Sequence, residues 1–315
     1  MEIVKKILLI IAIVILVFIA AIIILLFIAS KQPAVKEDYF EKVKTDKPLE
    51  AKYTAKGNYE VAYIEFDAEN DTYKKYEIWY PAEMEKGNRT YPLVVMANGS
   101  GVAASKYTPI FEHLASWGFI VIGNEDPSSW SGESSAKSLD YMLDLNKSKE
   151  SIFYQKVDTA NIGIAGHSQG GVGAVNAVTN QSNGNYYKTI YTASTTHLAL
   201  AEGLKWSYDV SKIDIPYLMV AGTLKNDAGN GTDVAGIAPL WSLQENYDRM
   251  SNDVVKIFSR RVNADHGDML ACGDGYMTAW FMYYLYGDTE AGNAFFGENA
   301  EILTNANWQD TKKNH

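Results

Sequence analysis

A single cysteine, Cys272, is present in 315 residues, so neither an intrachain disulfide framework nor a cysteine-based zinc cluster can form. Basic charge is also short. Lys and Arg number 28 against 38 Asp and Glu, the net charge is −10, and no basic tract interrupts the acidic background. A domain of that sign has no electrostatic footprint for a phosphate backbone, so no nucleic-acid partner is expected. Internal repeats and low-complexity tracts are missing after residue 30, which excludes fibrous classes. With 47% of its residues hydrophobic, the chain is also too apolar to be disordered.

The most conspicuous feature present is an apolar run over residues 7–29, drawn only from Ile, Leu, Val, Phe and Ala. In a helix it would extend roughly 34 Å, against a hydrocarbon core of about 30 Å. It outruns the h-region of a cleavable signal, about 7–15 residues, and no clean small-x-small site follows it. Residues 1–30 therefore read as one N-terminal transmembrane signal-anchor, and an unusually long cleaved signal is the alternative. Residues 31–50, rich in Lys, Glu and Asp, read as a stalk, and residues 51–315 as one large domain. Lys5 and Lys6 favour a cytoplasmic N-terminus, but Lys31, Lys36, Lys42 and Lys44 follow the run, so the positive-inside count leaves orientation open. The very short two-lysine tail tips the expectation towards a single-pass protein of the cell membrane with its domain outside.

Within the domain, residues 59–66 and 75–80 alternate like antiparallel strands. Short apolar runs at 93–96, 119–122 and 161–165 have the texture of buried parallel strands, and 188–192, 217–221 and 254–258 complete the set. Helical spacing falls between them, at 107–117, 135–145, 170–178, 239–250 and 276–286. Repeated alternation of strand and helix predicts an α/β fold, a mainly parallel central sheet flanked by helices.

The chemistry centres on Gly166-His167-Ser168-Gln169-Gly170-Gly171, a G-x-S-x-G pattern between a buried strand and a small-residue helix. Small residues two before and two after the serine let strand and helix approach closely, and its hydroxyl then projects at the positive end of a helix. Such a hydroxyl needs a base, and the base needs an orienting carboxylate. The expected chain order is Ser, acid, His. Of the histidines after Ser168, His315 is terminal, His197 lies where a specificity loop would be, and His266 follows the last strand candidate. His266 is the expected base. His167 should line the cleft and His113 should be structural. The acid is Asp227, five residues past Gly222 at a strand end, or Asp233, which stands nearer Ile237-Ala238-Pro239. Distance from the strand favours Asp227, with Asp268 a distant third. Asp265 and Asp268 flank the base and should hold its loop. An oxyanion would be held by the backbone N–H of Gln169 and one from the loop Asn98-Gly99-Ser100-Gly101, with Ser100 favoured.

These residues carry a resemblance. The chain resembles the α/β-hydrolase superfamily over roughly residues 75–290, in particular the bacterial cutinase-like and polyester-hydrolase group with its dienelactone-hydrolase and chlorophyllase relatives. Beyond Gly166–Gly171, the likeness rests on Gly99-Ser100-Gly101, Leu114-Ala115-Ser116-Trp117-Gly118-Phe119, Ile237-Ala238-Pro239-Leu240, Asp265-His266-Gly267 and Ala279-Trp280. It implies a serine carboxylic-ester hydrolase, an esterase or lipase that passes through an acyl-enzyme and needs no cofactor, with a small-molecule or lipid ester as substrate. Polyester-cleaving relatives usually carry an aromatic residue where Ser100 stands, and a C-terminal cysteine pair that this chain lacks. An acyltransferase or serine peptidase on the same fold is the main alternative; a cofactor-free haloperoxidase or lyase and a catalytically dead binding module trail it.

Two weaker signals remain. Residues 226–233 are oxygen-rich like a calcium loop, but they miss the EF-hand spacing and its terminal Glu, so no metal is expected. Trp206 is a candidate for lining the acyl pocket.

Overall fold

A computed structural model describes residues 11, 13–25 and 32–315. Residues 13–25 form an exposed helix, and the rest of the apolar run lies outside the described residues. Among the described residues, no helix is long and apolar enough to cross a membrane.

Nine strands make one sheet: β1 (Val61–Asp67), β2 (Lys75–Pro81), β3 (Tyr91–Ala97), β4 (Ile120–Asn124), β5 (Val157–His167), β6 (Tyr187–Ala193), β7 (Tyr217–Gly222), β8 (Lys256–Arg261) and β9 (Trp308–Lys313). Their order is β1-β2-β4-β3-β5-β6-β7-β8-β9. Strands β4, β3, β5, β6, β7 and β8 run parallel, while β1, β2 and β9 are antiparallel additions at the edges. The central strands are continuous apolar runs because helices cover both faces.

Those helices are α1 (Pro48–Thr54), α2 (Thr108–Ser116), α3 (Glu133–Lys147), α4 (Gln169–Thr179), α5 (Leu240–Arg249) and α6 (Asp274–Tyr286). Strands β3, β5 and β6 are the middle of the sheet, so the loops at their C-terminal ends converge. That convergence is where an open parallel sheet binds its ligand.

The expected stalk differs from expectation. Val35 and Tyr39 are buried in the core, and α1 packs on α6. The Glu50 carboxylate is buried and accepts from Arg261 Nη1 at 3.0 Å, Trp308 Nε1 at 2.8 Å and Asn305 Nδ2 at 2.7 Å. Glu301 in turn accepts from the backbone N–H groups of Leu49 and Glu50, both at 2.7 Å. The charges of this segment are thus partly consumed by the C-terminal residues, which a reading of local composition cannot reveal.

Candidate active site

Ser168 stands between β5 and α4 with φ +60° and ψ −123°. A non-glycine residue at such angles stores roughly 1–3 kcal/mol of strain, and the surroundings must enforce it. They do. A Cβ at Gly166 would lie 2.1 Å from the Gly170 carbonyl oxygen, and one at Gly170 would lie 2.1 Å from that of Ala97. Only glycine at both places lets the turn close against β3. The Ser168 N–H is taken by the Ala193 carbonyl of the neighbouring strand at 3.0 Å.

His266 and Asp227 meet. Nδ1 of His266 lies 2.7 Å from Oδ1 of Asp227, whose side chain is fully buried while His266 keeps 17% of its side-chain surface in contact with solvent. The other carboxylate oxygen accepts from Ser194 Oγ at 2.5 Å and from the Gly222 N–H at 2.7 Å. The end of β7 therefore holds the carboxylate directly, which is why distance from that strand singles out the partner of His266. Asp233 serves elsewhere: Oδ1 pairs with Arg260 Nη1 at 2.6 Å and accepts the Leu240 N–H at 3.1 Å. Both carboxylates of the oxygen-rich loop are thus engaged by protein donors. Among the described residues, no group of acidic, His and Cys side chains is arranged to hold a metal ion.

The two loops carrying Asp227 and His266 are tied together by Asp265. Its Oδ1 accepts the N–H of Asn226 at 2.7 Å, of His266 at 2.9 Å and, more weakly, of Asp227 at 3.4 Å. Oδ2 accepts from Asn226 Nδ2 at 2.9 Å. Asp268 returns the arrangement by accepting the Asp265 N–H at 2.9 Å. Both carboxylates hold the loop that carries His266, as expected for its two flanking acids.

The 98–101 loop after β3 is fixed at several points. Asn98 Nδ2 donates to the carbonyls of Asn124 and Asp126, the Gly99 N–H donates to the Tyr107 hydroxyl at 2.9 Å, and the Gly101 N–H donates to Pro127 at 2.9 Å. Ser100 is exposed at the tip, and its amide has no protein acceptor among the described residues. Gln169 opens α4, so its amide is one of the helix's unsatisfied donors.

His167 departs from its expected place in the cleft wall. It is 7% exposed and its Nε2–H donates to the His266 carbonyl at 2.7 Å, with the two rings 4.6 Å apart. The strand-to-helix turn sends its ring against the His266 loop. Burial, with the His266 ring beside it, pushes the His167 imidazole down to about 4, so it is neutral. Trp206 lies half-buried on the core cluster that contains Tyr208, and no hydrogen bond or ring contact among the described residues brings it to Ser168 or His266.

Sequence reasoning missed Ser194, Asn226 and the Gly222 N–H. Ser194 carries a faint signal, a hydroxyl directly after the strand beside β5; Asn226 carries none beyond adjacency to Asp227. No curated protein matches the chain. A sharp strand-to-helix turn at Ser168, in the middle of a mainly parallel sheet, with His266 and Asp227 on the loops after β8 and β7, agrees with what the sequence comparison finds. The model of the PET hydrolase-like proteins matches residues 43–314, and the chain belongs to this PETase family of α/β-hydrolase-type ester hydrolases.

Proposed function

We propose that the protein is a serine carboxylic-ester hydrolase in which Ser168 is the nucleophile, His266 the base and Asp227 the orienting acid. The observation that carries this reading is the 2.7 Å contact between His266 Nδ1 and a fully buried Asp227, on loops beside the strained Ser168 turn. The carboxylate fixes the tautomer with the proton on Nδ1, which frees Nε2 to accept from Ser168 Oγ. Attack on the ester carbonyl carbon gives a tetrahedral oxyanion, held by the Ser100 and Gln169 amides. Collapse expels the alcohol, which takes the proton from His266 and leaves an acyl-Ser168 ester. Water, deprotonated by the same histidine, then releases the acid and regenerates the serine. No cofactor is needed. A fluorophosphonate probe should label the wild type and fail on Ser168→Ala; undiminished labelling of that variant refutes the assignment.

The favoured substrates are soluble or small-acyl esters rather than bulky aromatic polyesters. Ser100, exposed and without a ring, supports this, because the aromatic clamp of polyester-cleaving relatives is missing there. Equal turnover of a short-chain p-nitrophenyl ester and of polyester film would overturn the preference. The apolar run of residues 7–29 supports a single-pass anchor, and the very short two-lysine tail before it supports a domain outside the cytoplasm. Protease added to intact cells should then digest the domain, and survival until lysis would reverse the orientation.

A further inference from the structure

Residues 34–44 cross the domain surface as a strap pinned at both ends. The Ala34 N–H donates to the Lys106 carbonyl at 2.8 Å, and the Lys44 carbonyl accepts from Asn307 Nδ2 at 2.9 Å. Between these pins Val35 and Tyr39 seat the strap in the core, and beside them it stands off the domain. A cavity of about 450 Å³ lies beneath it, floored by the end of β8 and by the Gly267–Asp268 and Ala271–Cys272 stretches. That is a ligand-sized volume, far beyond the small packing defects of a protein interior.

The cavity lining reverses the charge of the molecule. Lys36, Lys42, Lys44 and Arg261 line it against one carboxylate, Asp268, in a chain where acids outnumber bases. Asp268 is already occupied by the Asp265 amide, and Arg261 is matched by buried Glu50. Lys42 pairs with Asp38, but both are half exposed, so that pair is weak and readily exchanged. Glu37 on the same strap faces another cavity. No carboxylate of the cavity lining pairs with Lys36 or Lys44; Lys44 Nζ donates to the Glu41 carbonyl at 2.9 Å, and Lys36 lies near enough to Asp38 on the strap to interact with its charge. Apart from Asn263 the rest of the wall is largely apolar, with Val43 and the exposed edges of Val35 and Tyr39 on the strap and Ala271 opposite.

We propose that this cavity is a binding site for an anionic amphiphile, a carboxylate or phosphate head with an apolar tail, separate from the Ser168 site. The lysines take the head and the strap's apolar side chains take the tail. Lys36 and Lys42 precede residue 43, where the family match begins. The floor runs through Gly267 and Asp268, directly after His266, so an occupant would stiffen the loop that carries the base. The site stands independently of the proposed catalytic roles.

Cys272, the chain's one cysteine, lines the cavity and reports its occupancy. The experiment follows alkylation of Cys272 by N-ethylmaleimide in full-length Ser168→Ala protein, with laurate, with the uncharged analogue dodecanol, and with phosphatidylglycerol or phosphatidylcholine vesicles. Laurate should slow alkylation at least fivefold and dodecanol should not. Lys36→Glu with Lys44→Glu should abolish the protection, read as the ratio of rates with and without laurate in the same variant. Lys36→Gln with Lys44→Gln serves if the glutamates prevent folding. Protection by phosphatidylglycerol vesicles as well identifies a lipid headgroup as a source of the ligand; protection by laurate alone identifies a free acid. Equal protection by dodecanol, equal protection of the lysine variants, or no protection by any anion overturns the proposal.

Discussion

Replacing Asp265 by alanine removes a side chain that touches no reacting atom in the proposed mechanism, yet activity should fall. The carboxylate accepts three donors at 2.7–2.9 Å from the loops that present Asp227 and His266, and a fourth, weaker one. Hydrogen bonds to a charged group contribute about 1.5–3 kcal/mol each when buried. Asp265 is half-buried and Asn226 exposed, so water replaces much of that loss. A net cost of about 1–2 kcal/mol is the reasonable expectation. If it falls on the population in which His266 faces both Ser168 and Asp227, kcat drops roughly 5- to 30-fold. KM should hardly move, because the carboxylate lies behind the base and not in the substrate's path. Asp265→Asn keeps one oxygen acceptor and should recover part of the loss. Asp227→Asn is the contrast: it removes tautomer control itself and should cost about 10⁴ in kcat. Steady-state kinetics on a p-nitrophenyl ester distinguish them. An Asp265→Ala enzyme with kcat within twofold of wild type would refute the argument that this carboxylate positions the base.

Other expectations concern titration and stability. His167 is depressed to about 4 by burial, so its contribution to stability is complete above the unfolded value of about 6.5 and is lost as pH falls towards 4, by about 3 kcal/mol in all. His167→Gln should therefore flatten the acid side of a Tm-versus-pH curve, and an unchanged acid slope would contradict it. His113 behaves oppositely. Burial alone would lower its pKa, but the Asp274 carboxylate 2.7 Å from Nδ1, and the Ala55 carbonyl at 2.9 Å on Nε2, outweigh it and hold the imidazole above its ordinary value. Its contribution is full below about pH 6.5 and fades as pH rises through the raised folded value, so the Tm loss in His113→Gln should be greatest in acid and shrink in base. Asp233→Asn should weaken the Arg260 pair and lower Tm, but leave kcat within a few-fold of wild type; a collapse of kcat would return the acid role to Asp233.

The legible part of this molecule is the part governed by local pattern. Strands β3 to β7 announce themselves as apolar runs because both faces are covered, and the Ser168 turn announces itself through glycines that sterics demand. Asp227 and His266 could be paired from chain order and the distance past a strand end, since the Gly222 N–H physically anchors that carboxylate. Polar burial hid the rest. The expected strand at 254–258 is found at Lys256–Arg261, because Arg260 and Arg261 are neutralised by Asp233, Asp310 and Glu50, partners distant in sequence. The first residues of helix α1, up to Glu50, read as stalk for the same reason. Strand β9, Trp-Gln-Asp-Thr-Lys-Lys, has the composition of a solvated tail and becomes a strand only because the edge of β8 is open to it. His167 was misplaced because the direction of a side chain in a strained turn is not written in its spacing.

The knot between α1 and the last residues bears on how the protein can be made. Glu50 emerges from the ribosome about 250 residues before Asn305 and Trp308, which complete its buried hydrogen bonds. Until then it is an unpaired carboxylate that cannot be buried without penalty, and β8 is an uncovered sheet edge. The nascent chain therefore cannot reach its native state stepwise from the N-terminus. It must remain incompletely folded, with an exposed edge prone to strand pairing, until synthesis is essentially finished. Such delayed closure makes C-terminal truncation far more damaging than the polar look of the tail suggests.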